Sequence, residues 1–378
     1  MWKMIAAIFW LLTAAAYGQS VWTQQNPFPT DKHLFSVTYG GSQFVMVGEE
    51  GAVLTSPDGL NWTLGNSGAA FILFSVVFGG SQFVAVGQAG SIFTSPDGIV
   101  WTSRESGTLT LLNAVTFGGA RFVAVSQGSS FHTSLDGITW THSNSGTGNP
   151  LFSVIYGDSI YVAVGAKGTI LTSFDGATWT IRNSGTTAKL GAVAYGDSRF
   201  VAVGDSGTLL TSRDGINWTS GSSGITTSLA AITYGAGQFV AAGWFRTILT
   251  SPDGDNWTAR NSGTWRIFSS VAYGNSRFLA LDGENILAST QDGLAILAGS
   301  ATRGITLRQT SSDLFASYPG FTGRPVHAVI YTARGKKVTE AWGRGDEISL
   351  SIGGLARGIY TLEVASGKER FSSSFVKP

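Results

Sequence analysis

The chain has 378 residues, with 24 lysines and arginines against 23 aspartates and glutamates, 51 glycines and no cysteine. A net charge of +1 without a basic block argues against nucleic acid as the main partner, and a hydrophobic content of 43% argues against a disordered chain. The lack of cysteine excludes disulfides, thiolate metal sites and cysteine nucleophiles. Abundant glycine with 12% aromatic residues favours many short strands joined by tight turns.

The segment from Met1 to Gly18 has the pattern of a secretory signal peptide. Lys3 precedes an apolar stretch from Met4 to Ala16, and small residues up to Gly18 fit a cleavage site. Polar residues from Gln19 onward interrupt this stretch before it reaches the roughly 20 apolar residues that span a membrane. No later segment is apolar for that length. We therefore expect residues 1–18 to be removed and the protein to be secreted or held at the cell surface without a transmembrane helix.

A 39-residue repeat organises the chain from residue 19 to residue 297. Asp-Gly pairs recur seven times at this step without any insertion. Their aspartates are Asp58, Asp97, Asp136, Asp175, Asp214, Asp253 and Asp292. A period of this length, with strand patterns and no helical pattern, is typical of β-propeller blades.

Each repeat contains four short strand-like runs separated by turn signals. In the first repeat they are Leu34–Gly40, Phe44–Gly48, Ala52–Ser56 and Asn61–Asn66. Six repeats carry a tryptophan in the fourth run, and the seventh lacks it. The dipeptide Trp22-Thr23 could supply that strand from the N-terminus and so close the ring, which would protect an exposed strand edge. The pattern predicts an all-β protein with a seven-bladed propeller.

The segment Ser56-Pro57-Asp58-Gly59-Leu60-Asn61-Trp62-Thr63 and its copies resemble the Asp-box, or BNR-type, repeats of sialidase-like and photosystem-assembly-factor-like propellers. The resemblance extends from about residue 20 to residue 297. The usual Asp-box has one more residue between Asp and Gly, which favours a broad BNR-like group over a true sialidase. Since serine and aspartate beside glycine bond the backbone of their own turn, we interpret these aspartates as turn builders and not as a carboxylate cluster.

The composition changes after residue 297, where the 39-residue step ends. Residues 298–378 hold 11 lysines and arginines against 6 aspartates and glutamates. Strand-like runs at Ile305–Gln309, Val326–Thr332, Ile348–Ile352, Tyr360–Val364 and Phe371–Val376 predict a small immunoglobulin-like β-sandwich. We expect a separate C-terminal domain over residues 298–378.

This C-terminal segment resembles the sorting domain of type IX secretion cargo. The resemblance is carried by the hairpin at Val329–Val338, the strand at Ile348–Leu350 and the Leu-x-x-Gly-Ile-Tyr pattern from Leu355 to Tyr360. It implies that the domain engages the secretion machinery and is often removed on arrival. A plain accessory sandwich is the alternative.

Candidate binding residues lie on the loops that join second to third strands and on the loops between blades, where propellers commonly bind ligands. In the sixth repeat a bulky and charged sequence replaces smaller residues, and its neighbours in a closed ring add aromatic and acidic residues. The predicted binding residues are Trp244, Phe245, Arg246, Trp265, Arg266, Glu49, Glu50, Asp282 and Glu284. Flat aromatic faces beside charged groups fit a polysaccharide or a protein, while packing of these rings into the channel is the alternative.

Three functions remain open at the level of sequence. The main interpretation is non-catalytic binding of a polysaccharide or protein by a monomer. An Asp-box-type glycoside hydrolase is an alternative, which needs two carboxylates flanking the bond; the acids available to it are Glu49, Glu50, Asp205, Asp282 and Glu284. A protein assembly factor is implied by the photosystem-assembly-factor resemblance, with Arg246 and Arg266 as partner contacts. Four scattered histidines give no metal-ligand pattern, and we expect neither catalytic residues, metal nor cofactor.

Overall fold

The computed structural model describes residues 22–25, 29–245, 247–261, 267–283, 285–289, 306–309, 313–317, 325–332, 336–344, 347–356, 358–366 and 369–377. These residues belong to two compact units, one within residues 21–292 and one after residue 292. The described residues are all-β and contain no α-helix, since their only helices are four short 3-10 turns. The 3-10 turns are Glu49–Gly51, Gln88–Gly90, Ala166–Gly168 and Asp205–Gly207.

The first unit consists of four-stranded antiparallel sheets, seven of them among the described residues. Its strands are β1 (Trp22–Gln25), β2 (Leu34–Gly40), β3 (Gln43–Gly48), β4 (Ala52–Ser56), β5 (Thr63–Asn66), β6 (Leu73–Gly79), β7 (Gln82–Gly87), β8 (Ile92–Ser95), β9 (Thr102–Arg104), β10 (Leu112–Gly118), β11 (Arg121–Ser126), β12 (Ser130–Ser134), β13 (Thr141–Asn144), β14 (Leu151–Gly157), β15 (Ile160–Gly165), β16 (Ile170–Ser173), β17 (Thr180–Arg182), β18 (Leu190–Gly196), β19 (Arg199–Gly204), β20 (Leu209–Ser212), β21 (Thr219–Ser220), β22 (Leu229–Gly235), β23 (Gln238–Gly243), β24 (Thr247–Ser251), β25 (Thr258–Asn261), β26 (Ser270–Gly274), β27 (Arg277–Leu281) and β28 (Ile286–Ser289). Strands β2–β5 form the first sheet, and each later repeat forms the next sheet in the same order.

Each second strand lies in the core and is buried on both faces. Phe44, Val45, Met46 and Val47 of β3 are fully buried, and the same holds for the corresponding residues of the other repeats. Strands covered on both sides by neighbouring sheets require such continuous apolar runs. The predicted fourth strand begins later than expected, at Thr63, because the preceding residues form the Asp-Gly turn.

The tryptophan of each repeat therefore lies just before the fourth strand and not inside it. Trp62 packs half-buried against Phe44 of the second strand, with ring centroids 6.4 Å apart. Trp140, Trp218 and Trp257 make the same contact in their own sheets. The tryptophan thus closes the edge of the core beneath the turn.

The first strands of successive sheets contact one another, and β26 of the last sheet contacts β2 of the first. Glycine at the end of each first strand allows this approach. A Cβ atom on Gly40 would overlap the ring of Phe78 in the second sheet, and a Cβ atom on Gly274 would overlap the ring of Tyr39 in the first. These contacts join the sheets into a closed cycle, the arrangement of a β-propeller.

The N-terminal strand β1 completes the last sheet, whose order is β1-β28-β27-β26. It pairs antiparallel with β28, with Trp22 opposite Ser289 and Gln25 opposite Ile286. The outer strand of this sheet therefore comes from the opposite end of the unit.

The second unit contains two antiparallel sheets that share one core. Its strands are β29 (Thr306–Gln309), β30 (Asp313–Ser317), β31 (Pro325–Thr332), β32 (Lys337–Arg344), β33 (Glu347–Ser351), β34 (Gly358–Ser366) and β35 (Glu369–Lys377). The sheet orders are β29-β30-β33 and β32-β31-β34-β35. Leu314 and Leu350 of the first sheet pack with Ile330 and Leu362 of the second. Strands β30 and β32 were not predicted from the sequence, because their partly polar residues form no continuous apolar run.

Candidate functional site

The turns between second and third strands carry most of the predicted binding residues. In four sheets these turns are short 3-10 turns whose middle residue is left-handed, as in Glu50 and Lys167 with φ of 50° and 53°. Their first residue donates its backbone N–H to the segment that precedes the first strand; for example, Glu49 N donates to His33 O at 2.9 Å. The turn is therefore fixed by the backbone, and its side chains are free to vary.

Trp244 and Phe245 occupy this turn in the sixth sheet. Trp244 N donates to Ser228 O at 2.9 Å, so the backbone contact of the other sheets is kept. Phe245 is left-handed, with φ of 51°, and its side chain is 65% exposed. Trp244 is 45% exposed, and its ring meets that of Phe245 edge-on with centroids 6.2 Å apart. Both rings therefore lie at the surface.

Backbone hydrogen bonds connect the turns of the sixth, seventh and first sheets. Phe268 N, at the start of the seventh sheet, donates to Gly243 O at 3.1 Å, and Leu34 N of the first sheet donates to Gly283 O at 2.8 Å. Ile267, 46% exposed, precedes Phe268 and joins this surface. Ile267 was not predicted from the sequence, because Ile72 and Leu111 are also apolar at this repeat position and Ile267 does not stand out from them. We call Trp244, Phe245 and Ile267 the aromatic patch.

Three predicted carboxylates of this region, Glu49, Glu50 and Asp282, have partners among the described residues. Glu49 accepts the backbone N–H of His33 at 3.2 Å, and Glu50 pairs with Lys32 at 2.6 Å. The hydrogen bond from Lys32 to Glu50 raises the pKa of the lysine. Asp282 accepts the backbone N–H of Asn285 at 2.8 Å. These acids stabilise loops. None of these contacts brings two of them to opposite sides of one position, as cleavage of a glycosidic bond would require.

Four predicted site residues, Arg246, Trp265, Arg266 and Glu284, lie outside the described residues. The structure therefore places Trp244, Phe245, Glu49, Glu50 and Asp282 on the turns of three adjoining sheets.

The Asp-Gly turns lie at the other end of the strands. In each of the six described turns one carboxylate oxygen accepts two backbone N–H groups, as Asp136 does from Ile138 and Thr139 at 2.8 Å each. The backbone donors of Thr139 and Ile138 and the hydroxyl of Ser134 lower the pKa of Asp136 to about 2. These six aspartates build their own turns, as the sequence analysis inferred; Asp292 lies outside the described residues.

The described residues offer no metal centre, since no three histidine or acidic side chains among them are grouped to hold an ion. Within the same residues, no helix is long and apolar enough to cross a membrane.

No protein-family model and no curated protein sequence matches the chain. Solved structures do match its fold. YCF48 from Cyanidioschyzon merolae superposes with a TM-score of 0.59 at 18% identity, covering 72% of this chain and all of that chain. A structure of YCF48 bound to D1 peptide gives a TM-score of 0.60 at 17% identity, covering 74% of this chain and all of that one. The WD40 β-propeller domain of Doa1 gives 0.60 at 13% identity, covering 73% and 98%. At these identities the likeness establishes the β-propeller fold.

Proposed function

We propose that the first unit is a seven-bladed β-propeller that binds a protein segment, without catalysis, through the aromatic patch. The observation that carries this proposal is Phe245, an exposed aromatic side chain on a left-handed residue. A left-handed conformation costs a non-glycine residue about 1 kcal/mol or more, and an exposed aromatic ring gains little from burial. The repeat imposes the left-handed backbone at this position, as at Glu50 and Lys167, so the exposed ring beside exposed Trp244 is the feature that a partner explains better than folding.

Two further observations favour binding over hydrolysis. Glu49 and Glu50 are engaged by His33 and Lys32, so they do not form the opposed pair that a glycosidase requires. In addition, a protein of this fold, YCF48, is described in complex with a peptide. That complex supports a protein ligand over a polysaccharide, and it agrees with the assembly-factor alternative.

The repeat supplies matched variants for the test. Trp244→Gln introduces the residue that Gln88 provides at the same position, and Phe245→Ser introduces the residue of Ser206. Phe174→Arg serves as the control, because Phe174 is a 71% exposed aromatic residue at the opposite end of the strands and Arg213 is its counterpart. Each variant introduces a residue that another repeat of this chain carries at the same position.

The experiment selects peptides from a displayed random library against the full chain and measures their affinities for the variants. We expect each patch substitution to weaken binding by roughly 30-fold, or about 2 kcal/mol, and Phe174→Arg to leave it unchanged. Phe245→Ser should also fold with equal or higher stability. Peptide binding that persists in both patch variants would refute the site, and saturable binding on a glycan array instead would restore the polysaccharide interpretation.

We further propose that the chain is exported and that its second unit is an immunoglobulin-like sandwich that serves sorting. The signal-like N-terminus and the shared core of the two sheets support this. Expression in the native host with N-terminal sequencing tests it: the released protein should begin at Gln19, and removal of residues 298–378 should stop release. Unchanged release without that segment would show that it has no sorting role.

A further inference from the structure

The junctions between neighbouring sheets follow a rule at the Asp-Gly end. The first residue of each second strand is glutamine or arginine in every repeat except the fourth, and in several repeats it contacts the Asp-Gly turn of the next sheet. Gln43 Nε2 donates to Asp97 O at 2.6 Å, and Gln82 Nε2 donates to Asp136 O at 2.7 Å. At the fifth junction Arg199 Nη1 pairs with Asp255 Oδ2 at 2.5 Å. These donors therefore find an acceptor across the junction.

The junction between the seventh and first sheets departs from this rule. Arg277 takes the position of Arg199, and its Cδ packs against Gly59, 3.3 Å from where a Cβ atom would lie. Its Nε and Nη1 atoms are buried and have no hydrogen-bond partner. The counter-ion is missing because the position of Asp255 is occupied by Leu60 in the first repeat.

A second orphan donor belongs to the same turn. The buried Nε1 of Trp62 has no hydrogen-bond partner. In the next five sheets the corresponding tryptophan Nε1 donates to the glycine oxygen of its Asp-Gly turn, at 2.8–3.1 Å. Both residues border the turn at Gly59: Trp62 follows it by three residues, and Arg277 Cδ packs against it.

The neighbouring carboxylate does not supply the missing charge. Asp58 Oδ1 accepts from the backbone N–H groups of Leu60 and Asn61, and Oδ2 accepts from Asn61 Nδ2 at 2.7 Å. No ion pair joins Asp58 to Arg277 among the described residues. Two buried guanidinium nitrogens without an acceptor are costly, and water that reaches the group would satisfy hydrogen bonds without neutralising its charge.

We propose that the junction of the seventh and first sheets binds a carboxylate. Arg277 donates to it from its guanidinium, and Trp62 donates from Nε1. The carboxylate occupies the place beside Arg277 that the side chain of Asp255 takes beside Arg199. The planar guanidinium fork matches a carboxylate in shape as well as in charge. This site lies at the opposite end of the strands from the aromatic patch and is independent of the proposed peptide-binding function.

The indole N–H signal of Trp62 reports on this site directly. In the full chain labelled with ¹⁵N, the signal is assigned with Trp62→Phe and followed during titration with sodium acetate, with sodium chloride at matched ionic strength as the reference. We expect acetate to shift this signal saturably, while the indole signals of the five tryptophans that donate to glycine oxygens stay in place. A response to acetate no larger than that to chloride would overturn the proposal.

Two matched variants sharpen the test. Arg277→Gln introduces the residue of Gln43 and Gln82, and it should weaken acetate binding by roughly tenfold or more. Leu60→Asp introduces the residue of Asp255; it should abolish the acetate response and raise the melting temperature, because the chain then supplies its own carboxylate. An undiminished response in both variants would contradict the assignment.

Comparison with a short blocked peptide containing one aspartate identifies the source of the carboxylate. Tighter binding of the peptide than of acetate assigns the site to an acidic peptide, and equal affinity assigns it to a small organic acid. Failure of the peptide selection at the aromatic patch would leave either result unaffected, so the two proposals are tested separately.

Discussion

His132 is a single residue whose environment conflicts with its charge. It lies on β12 with 1% of its surface exposed, at a position that carries leucine in four other repeats. Its Nε2 and the hydroxyl of Ser130 are 3.1 Å apart. Burial, with a smaller contribution from His142, lowers the pKa of His132 to about 4. The folded protein therefore keeps this imidazole neutral at pH values where an unfolded chain would protonate it.

The sign of the resulting pH dependence follows from linkage. Because the folded pKa lies below the ordinary value of 6.5, the unfolded state binds the proton first. Stability should therefore fall as the pH decreases from about 6.5 to about 4, by about 3 kcal/mol, and this contribution should level off below that range. Leucine at this position should remove the effect.

Urea unfolding of wild type and His132→Leu at several pH values from 7 to 4 measures this contribution. As the pH falls across that window, wild type should lose stability and the variant should not, so the variant should become more stable relative to wild type. A difference that is constant with pH would mean that His132 binds its proton equally well in the folded and unfolded states. Ser130 keeps a partner in the variant, since its hydroxyl also lies 2.8 Å from that of Ser126.

The turn between second and third strands keeps nearly the same backbone in four sheets, while its side chains differ from one sheet to the next. Its last residue is glycine in the four 3-10 turns, with φ of 67° at Gly168, and a Cβ atom there would overlap the carbonyl oxygen of Thr186. The third sheet has Ser129 at this position and no 3-10 turn, and its hydroxyl lies 2.6 Å from that of Ser145. In the four 3-10 turns glycine is therefore favoured by the close approach of the next loop as well as by its φ angle, whereas the third sheet accommodates Ser129 with φ of 64°.

A pair of glycine substitutions separates these two requirements. Gly168→Ala should lower the free energy of unfolding by about 3 kcal/mol, from left-handed strain plus overlap with Thr186. Gly107→Ala should lower it by only about 1 kcal/mol, because Gly107 is left-handed with φ of 72° but a Cβ atom there has open space. Thermal and urea unfolding give both values, and equal losses would show that the loop contact yields without cost.

At the scale of the whole molecule, the cycle of sheets depends on β1. This strand pairs with β28 over four residues, from Trp22 opposite Ser289 to Gln25 opposite Ile286. Without it β28 would become an open edge able to pair with another chain. The contact between β26 and β2 would then remain as the link between the last and first sheets.

A chain that begins at Thr30 tests this role against a reference chain that begins at Gln19. We expect the shorter chain to unfold at a lower urea concentration and to form dimers or larger species through β28, because an unpaired edge strand attracts others. Light scattering during size-exclusion chromatography measures the association. Equal stability and a monomeric shorter chain would show that the first and last sheets hold the ring closed by themselves.

Local sequence patterns determined the repeat, the all-β class and most strand positions of the first unit. The 39-residue period, the buried second-strand runs and the Asp-Gly turns depend on residues close together in the chain, so composition and spacing are sufficient to predict them. Short polar runs are weak signals for strands. For this reason the sequence did not predict β30 and β32 and placed the start of β5 too early. The sequence also singled out Trp244 and Phe245, because the repeat made their difference from other copies visible.

Only the tertiary structure decided which of these residues meet and which lack partners. The burial of His132, the pairing of Glu50 with Lys32 and the orphan donors of Arg277 and Trp62 each depend on side chains brought together by folding. Arg277 and Leu60 are separated by most of the unit in sequence, yet ring closure places them at one junction. Charge compensation and hydrogen bonding act over a few ångströms, and those distances are set by the packing of the sheets and not by the spacing of residues along the chain.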